Sequence, residues 1–327
     1  MPMRRRDFMA YACTAALPLA AASQAPAAWP AKPITLVVPF PAGGTVDWIG
    51  RALAHEMQNR LKSTVIVDNK PGATGTIGFA FVARAPADGY TLVIGPPGPF
   101  AVVPHLFKQK LAFDPAQDFD LLTVAVQIAN VLVVPANAPF DSVEALIAYG
   151  KAHPGKLAFA NSGSGASDHL AAALFLQQTG VQGLHVPYKG GAPAINDLLG
   201  GQVDASFQNI NAVLPYITSG KLKALGQTGQ GRSPVLPQIP TMAQAGVKDM
   251  EIQSWQGVAA PRGLPPAVRQ QLIDVMQQSL RSPALAEKLA ALGMEVVAST
   301  PEAFAARRQA ESERWQQVIR RAGITMD

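Results

Sequence analysis

Ile34-Thr35-Leu36-Val37-Val38 runs directly into Pro39-Phe40-Pro41-Ala42-Gly43-Gly44-Thr45-Val46-Asp47. The first five residues are apolar or β-branched and uncharged, which reads as a buried strand. Residues 46–61 repeat apolar side chains at helical spacing: Ile49, Ala52, Leu53 and Met57 share a face, while Arg51, Glu56 and Arg60 point away. The unit is strand, Gly-rich loop, helix. Glycine permits close approach of the backbone, and the helix start offers unpaired N–H groups to an anion. Thr45 is expected to cap this helix, and Asp47 to complement its dipole. A second unit of the same kind follows at Leu157-Ala158-Phe159-Ala160 and Asn161-Ser162-Gly163-Ser164-Gly165-Ala166-Ser167. The expectation is that these two loops face each other across a cleft and hold a small anion.

The rest of the chain repeats this α/β style. Strands at 65–67, 90–94, 184–187, 203–207, 222–226 and 254–260 alternate with helices at 77–85, 142–152, 167–178 and 192–199. Such alternation predicts mostly parallel sheets covered by helices on both faces. Apolar runs at 121–126 and 131–134 carry the chain into a second domain, and Pro/Gly-rich residues 229–240 read as a connection. Helices at 266–280, 283–292 and 301–322 each start at or near proline and are read as a tail that returns to cover the first domain. The expected organisation is an export segment 1–28, a first lobe of 29–128 plus 231–327, and a second lobe of 129–230.

With 327 residues, 48% hydrophobic and 15% charged, the chain can build a sizeable core and is not of disordered type. Its net charge of +5 is modest, and no basic face with interleaved aromatics appears, so a nucleic-acid partner is not expected. Arg307-Arg308 and Arg320-Arg321 read as solvated helix faces. Arg4-Arg5-Arg6-Asp7-Phe8 precedes an Ala-rich apolar run that is too short to span a bilayer. This is the pattern of a secretory leader, either of twin-arginine type or an ordinary Sec signal with an extra arginine, with cleavage expected between Ala22 and Ala28. The single cysteine, Cys13, lies inside that leader, which leaves the remainder without a thiol, disulfide or cysteine metal site.

Catalytic patterns are missing. No Gly-rich loop ends in Gly-Lys-Ser/Thr, and Gly163-Ser164-Gly165 lacks the third glycine of a dinucleotide loop. The histidines at 55, 105, 153, 169 and 185 have no metal-ligand spacing. Ser167-Asp168-His169 resembles a triad only in print, because consecutive helix residues point about 100° apart. Position 162 is serine, so Ser164 has no nucleophile elbow. Backbone N–H groups, hydroxyls and helix starts remain, a set that suits a carboxylate. No catalytic residue, metal or cofactor is expected.

Several motifs in order, Trp29-Pro30-Ala31-Lys32-Pro33 through Gly44, Val67-Asp68-Asn69-Lys70-Pro71-Gly72-Ala73, Ala87-Asp88-Gly89-Tyr90-Thr91-Leu92, His185-Val186-Pro187-Tyr188-Lys189-Gly190 and Asp197-Leu198-Leu199-Gly200-Gly201-Gln202-Val203-Asp204, give the chain its affiliation. It resembles the Bug family, the periplasmic solute receptors of tripartite tricarboxylate transporters, from about Trp29 to Ile324. The resemblance implies a two-lobed Venus-flytrap fold of periplasmic-binding-protein type with the ligand between the lobes. Carried onto this chain, Phe40, Ala42, Gly43, Gly44 and Asp47 line the first lobe, with Gly72 and Ala73 nearby. Ser162, Gly163, Ser164, Gly165 and Ser167 line the second, and Asn209 and Trp255 are further candidates. Asp47 is equally readable as a first-turn acid that stabilises its own helix. Val46 stands where relatives often carry a hydroxyl. Pro96-Pro97-Gly98-Pro99-Phe100 makes one wall stiffer and more apolar, which favours a partly apolar or aromatic carboxylate over citrate. The implied role is a monomeric periplasmic receptor that hands its ligand to membrane transporter subunits. A receptor feeding a sensor kinase, an exported α/β hydrolase and a surface adhesion protein are the competing readings.

Overall fold

The computed structural model describes residues 29–107 and 111–322, so the leader and Cys13 lie outside the described residues. Strand β1 (Ile34–Val38) pairs in parallel with β2 (Val65–Asn69) on one side and β3 (Thr91–Gly95) on the other. Helix α1 (Thr45–Leu61) connects β1 to β2, and α2 (Thr76–Ala83) connects β2 to β3. Alternate residues of β1 serve opposite faces, as the pleat requires. Ile34, Leu36 and Val38 pack with Ile49, Leu53 and Met57 of α1, whereas Val37 packs with Phe79 and Val82 of α2.

The second half repeats the arrangement. Strand β5 (Leu157–Asn161) pairs in parallel with β6 (Gly183–Pro187) and β7 (Ala205–Asn209). Helices α5 (Ser167–Thr179), α6 (Gly191–Leu199) and α7 (Ile210–Thr218) follow β5, β6 and β7 respectively. Helix α4 (Val143–Ala152) precedes this unit, and β8 (Leu222–Gln227) completes it.

The halves are joined by strands longer than the sequence pattern suggested. The apolar runs at 121–126 and 131–134 are one strand, β4 (Phe119–Pro135), whose burial is nearly continuous. Its first part pairs antiparallel with β9 (Gln253–Pro261) and with the short β10 (Met294–Val296). From Asn130 onward it pairs antiparallel with β7 and β8. The strand order is β2-β1-β3-β9-β4-β7-β5-β6. Each half thus holds a parallel trio, and the shared middle strands are antiparallel, so the sheet is mixed rather than mostly parallel. No helix among the described residues is long and apolar enough to cross a membrane.

The tail does more than cover the first half. Helices α8 (Pro266–Leu280) and α9 (Pro283–Ala291) bury Leu272, Met276, Leu285 and Leu289 in the first-half core. Helix α10 (Pro301–Ala322) starts with Phe304 among first-half aromatics, but its Trp315, Val318 and Ile319 pack into the second-half core. Met242, Val247, Met250 and Ile252 join that second core as well. The stretch at 96–100, expected to make one wall stiffer and more apolar, enters a helical turn at Gly98–Val102 that leads into α3 (Val103–Leu106). Phe100 points into the core, edge-on to Phe79 at 4.7 Å, and gives the cleft no aromatic surface.

Candidate functional site

In both parallel trios the loops at the carboxyl ends of the strands lead into helix N-termini, the side of an α/β sheet where ligands bind. The first loop needs glycine at position 43, where φ is +86°, while Gly44 has an ordinary φ of −82° and serves as N-cap of α1. Thr45 is not the cap expected of it: it is the first helical residue, and its hydroxyl accepts from Asn211 Nδ2 at 3.0 Å. The second loop carries glycines at φ +124° (Gly163) and +81° (Gly165), with Ala166 as N-cap of α5.

Helices α1, α5, α6 and α7 start on Gly44, Ala166, Gly190 and Asn209, and none has a side-chain cap. By contrast, α4, α9 and α10 are capped by Ser142, Ser282 and Thr300. Uncapped starts leave first-turn N–H groups available to an anion, apart from His169 N, which Asp168 takes. Helix α8, opened by two prolines, is also uncapped but starts well along the chain from either loop.

Each loop is held by an aspartate in the first turn of its helix. Asp47 accepts from Gly43 N at 2.9 Å, Arg51 Nε at 3.0 Å and Asn69 Nδ2 at 2.9 Å. Asn69 also donates to the Phe40 carbonyl at 3.0 Å. Burial of Asp47 works to raise its pKa, but the hydrogen bonds from Arg51, Gly43 and Asn69 outweigh it and hold the carboxyl below the usual range. The geometry therefore favours the scaffolding reading of Asp47. Asp168 plays the matching part: it accepts from Ser162 N at 2.7 Å, Ser162 Oγ at 2.5 Å, His169 N at 2.8 Å and Gln208 Nε2 at 3.3 Å. In each half an amide from the neighbouring strand end, Asn69 or Gln208, steadies the aspartate.

The print-only triad is dispersed. Ser167 Oγ meets the Asn130 amide at 3.4 Å, Asp168 holds Ser162, and His169 Nδ1 accepts from Gly165 N at 3.1 Å. Because Nδ1 accepts, His169 is neutral with its proton on Nε2.

The two loop systems meet. Besides the Thr45–Asn211 contact, a Cβ placed on Gly98 would lie 3.6 Å from the Gly165 carbonyl oxygen. Phe40 lies beside Gly75, where an added Cβ would be 3.3 Å from the ring and 3.1 Å from Pro99. Ala42, Gly43, Gly44, Gly72 and Ala73 are exposed, and Ser162, Gly163, Ser164 and Ser167 are half-buried. Gly72, Ala73, Thr74 and Gly75 form a run of positive φ (132°, 44°, 54° and 91°), a strained stretch of the sort found beside binding sites. Asn209, half-buried at the end of β7, has a buried Oδ1 without a partner. Trp255 is not brought to the loops. Its ring is fully buried against Phe100 and Phe304 and can act on the cleft only by supporting the Gly98–Val102 turn.

Sequence reasoning missed Asn69, Asn130, Asp168, Gln208 and Asn211. Asp168 had a readable signal, an acid in the first turn after a Gly-rich loop, as for Asp47. The others lie one strand or one half away, and nothing local marks them.

Burial pushes Asp168 up to about 6, against the lowering hydrogen bonds from Ser162 and His169. Burial, and then His185, push His169 down to about 4 from 6.5. Folded Asp168 keeps its proton to higher pH than the unfolded chain does, so its contribution to stability rises as pH falls through about 6. Folded His169 resists a proton that the unfolded chain takes, so its contribution is lost over the fall from 6.5 to about 4. His185 and His105 are lowered by burial and act in the same direction as His169. Asp168→Asn is expected to unmask the histidines: calorimetric Tm should drop more steeply between about pH 6.5 and 4.5 than in the parent chain. Parallel curves for the two proteins would contradict the assignment.

Comparison with known structures agrees with this architecture. The chain superposes on an R. palustris protein solved with adipate at TM-score 0.87, with 37% identity, 91% of this chain and 99% of that one covered. It superposes on MatC of Rhodopseudomonas palustris with bound malate at TM-score 0.82, with 30% identity and coverage of 89% and 99%. The fold is that of a periplasmic solute-binding protein. At the sequence level it is 37% identical to the protein BugT of Bordetella pertussis over 298 residues, 91% of each chain. Residues 49–324 match the tripartite tricarboxylate transporter family receptor, and the chain belongs to that family.

Proposed function

We propose that this receptor captures a small carboxylate between its halves and presents the closed form to the membrane subunits of a tripartite transporter. The observation that carries the reading is the set of uncapped helix starts at α1, α5, α6 and α7, gathered behind loops that two aspartates hold open. Phe40, Ala42, Gly43, Gly44, Gly72 and Ala73 offer one wall, and Ser162, Gly163, Ser164, Gly165, Ser167 and Asn209 the other. Asp47 and Trp255 support these walls from behind. Neutral donors suffice for a carboxylate because backbone N–H groups at helix starts carry partial positive charge. Related proteins solved with adipate and malate support an acid ligand.

The role is binding, without catalysis. Residues 1–28 act as an export leader that is removed, and the receptor works in the periplasm as a monomer. The lobes comprise 29–128 plus 231–327, and 129–230, except that residues 242–252 and the end of α10 pack with the second; β4, β9 and α10 join them. Closure converts ligand contacts into a shape the membrane subunits recognise.

A thermal-shift screen tests this with adipate, malate, citrate and benzoate, each beside its amide. An acid at a hundred times its Kd should stabilise the protein by about 2.7 kcal/mol, a Tm rise of roughly 4 °C. A rise with an acid and none with its amide is expected. Phe100 gives the cleft no ring, but Phe40 and Pro99 still make one wall apolar, so adipate or benzoate should outrank citrate. Tighter binding of citrate would overturn that ranking, and silence from every acid would overturn the carboxylate reading.

A further inference from the structure

Resting on that reading, we infer that Thr45 and Asn211 form a latch across the cleft that sets how long the ligand is retained. Thr45 begins α1, whose Val46 and Ile49 are anchored in the first-half core. Asn211 lies in the first turn of α7, whose Ile210 and Val213 are anchored in the second. The 3.0 Å contact therefore joins two rigid bodies at residues 166 apart in sequence. Among the described residues it is the side-chain hydrogen bond that ties the N-terminus of a first-half helix to that of a second-half helix.

Three features suit the pair to this task. Thr45 is freed for it because Gly44, not Thr45, occupies the N-cap. A hydroxyl both donates and accepts, so the contact holds with the Asn211 amide in either orientation. Asn211 Oδ1 is buried without a partner in this structure. That orphan tempers the gain from the latch and keeps closure reversible. Both residues belong to the helix starts that face the proposed ligand, so opening the latch and exposing the ligand are one motion.

The test reads the distance between the halves without depending on a ligand. The full chain carrying Cys13→Ser has no cysteine left, so Arg60→Cys on α1 and Asn196→Cys on α6, both exposed, take the only two spin labels. Thr45→Val and Asn211→Leu keep the side-chain volume and remove the bond. Each is expected to raise the open-to-closed ratio by roughly threefold to tenfold in pulsed paramagnetic resonance distance distributions. Thr45→Ser, which keeps the hydroxyl, should match the parent. A second arm uses adipate and malate as probes: dissociation should quicken by a similar factor, with association unchanged. Distances that do not change in either variant overturn the latch. Failure of the parent to bind either acid counts against the receptor reading for those acids, while the label distances still decide the latch.

Discussion

Asp168→Ala is expected to cost about 2–3 kcal/mol of folding stability and to abolish binding at the proposed ligand site. The carboxylate is fully enclosed and accepts from the Ser162 backbone, the Ser162 hydroxyl, the His169 backbone and the Gln208 amide. Removing it takes the acceptor from the Ser162 and His169 backbone N–H groups and the Ser162 hydroxyl at once, while Gln208 Nε2 keeps Ser206 Oγ; each loss costs a hydrogen bond in a largely enclosed site. The loss is concentrated in the loop that carries Gly163 and Gly165, so the proposed ligand wall should lose its shape together with its support. Urea denaturation and acid titration should show both effects. Asp168→Asn keeps the volume and one acceptor and should be much milder, resembling the protonated parent. An alanine variant within 1 kcal/mol of the parent, by the ordinary scatter of such measurements, would show that the loop does not depend on the clamp.

The second large effect lies away from the cleft. A Cβ on Gly257 in β9 would fall 2.2 Å from Phe304 Cζ and 2.9 Å from its Cε1. Phe304 is fully buried and edge-on to both Phe100, at 5.2 Å, and Trp255, at 5.4 Å. The ring has no room to move, so Gly257→Val should displace the first turn of α10 and destabilise by roughly 3 kcal/mol or more. Gly257→Ala combined with Phe304→Leu should be less damaging than the two changes added, because the smaller side chain relieves the collision. Strict additivity in chemical denaturation would argue against the clash. Since α10 reaches from the first core into the second, this defect should also weaken closure.

How far these residues could be read in advance depended on the range of the interaction. The strand–loop–helix units at 34–61 and 157–179 declare themselves through apolar periodicity and Gly/Ser turns, because those signals are written into neighbouring residues. The helix expected over 142–152 does start on a local cap, Ser142, because an N-cap bonds within its own first turn. The same rule failed at Thr45. Its hydroxyl had two possible partners, the local helix start and an amide 166 residues away, and the distant one prevailed. Phe100 failed for a related reason: an aromatic residue after a Pro-rich turn can face either way, and the pocket beside Phe79, Trp255 and Phe304 drew it inward.

By itself, then, the sequence determined an α/β chain with two Gly-rich strand–loop–helix units, because local propensity and side-chain periodicity act over a few residues; the receptor reading came from its resemblance to the family. Only the tertiary structure decided that β4 is one strand shared by both halves. It alone brought Asn69 and Gln208 behind the aspartates, placed α10 across the two cores and set Thr45 against Asn211. Those contacts join residues tens to hundreds of positions apart, and burial and hydrogen bonding select them only after the chain has folded on itself.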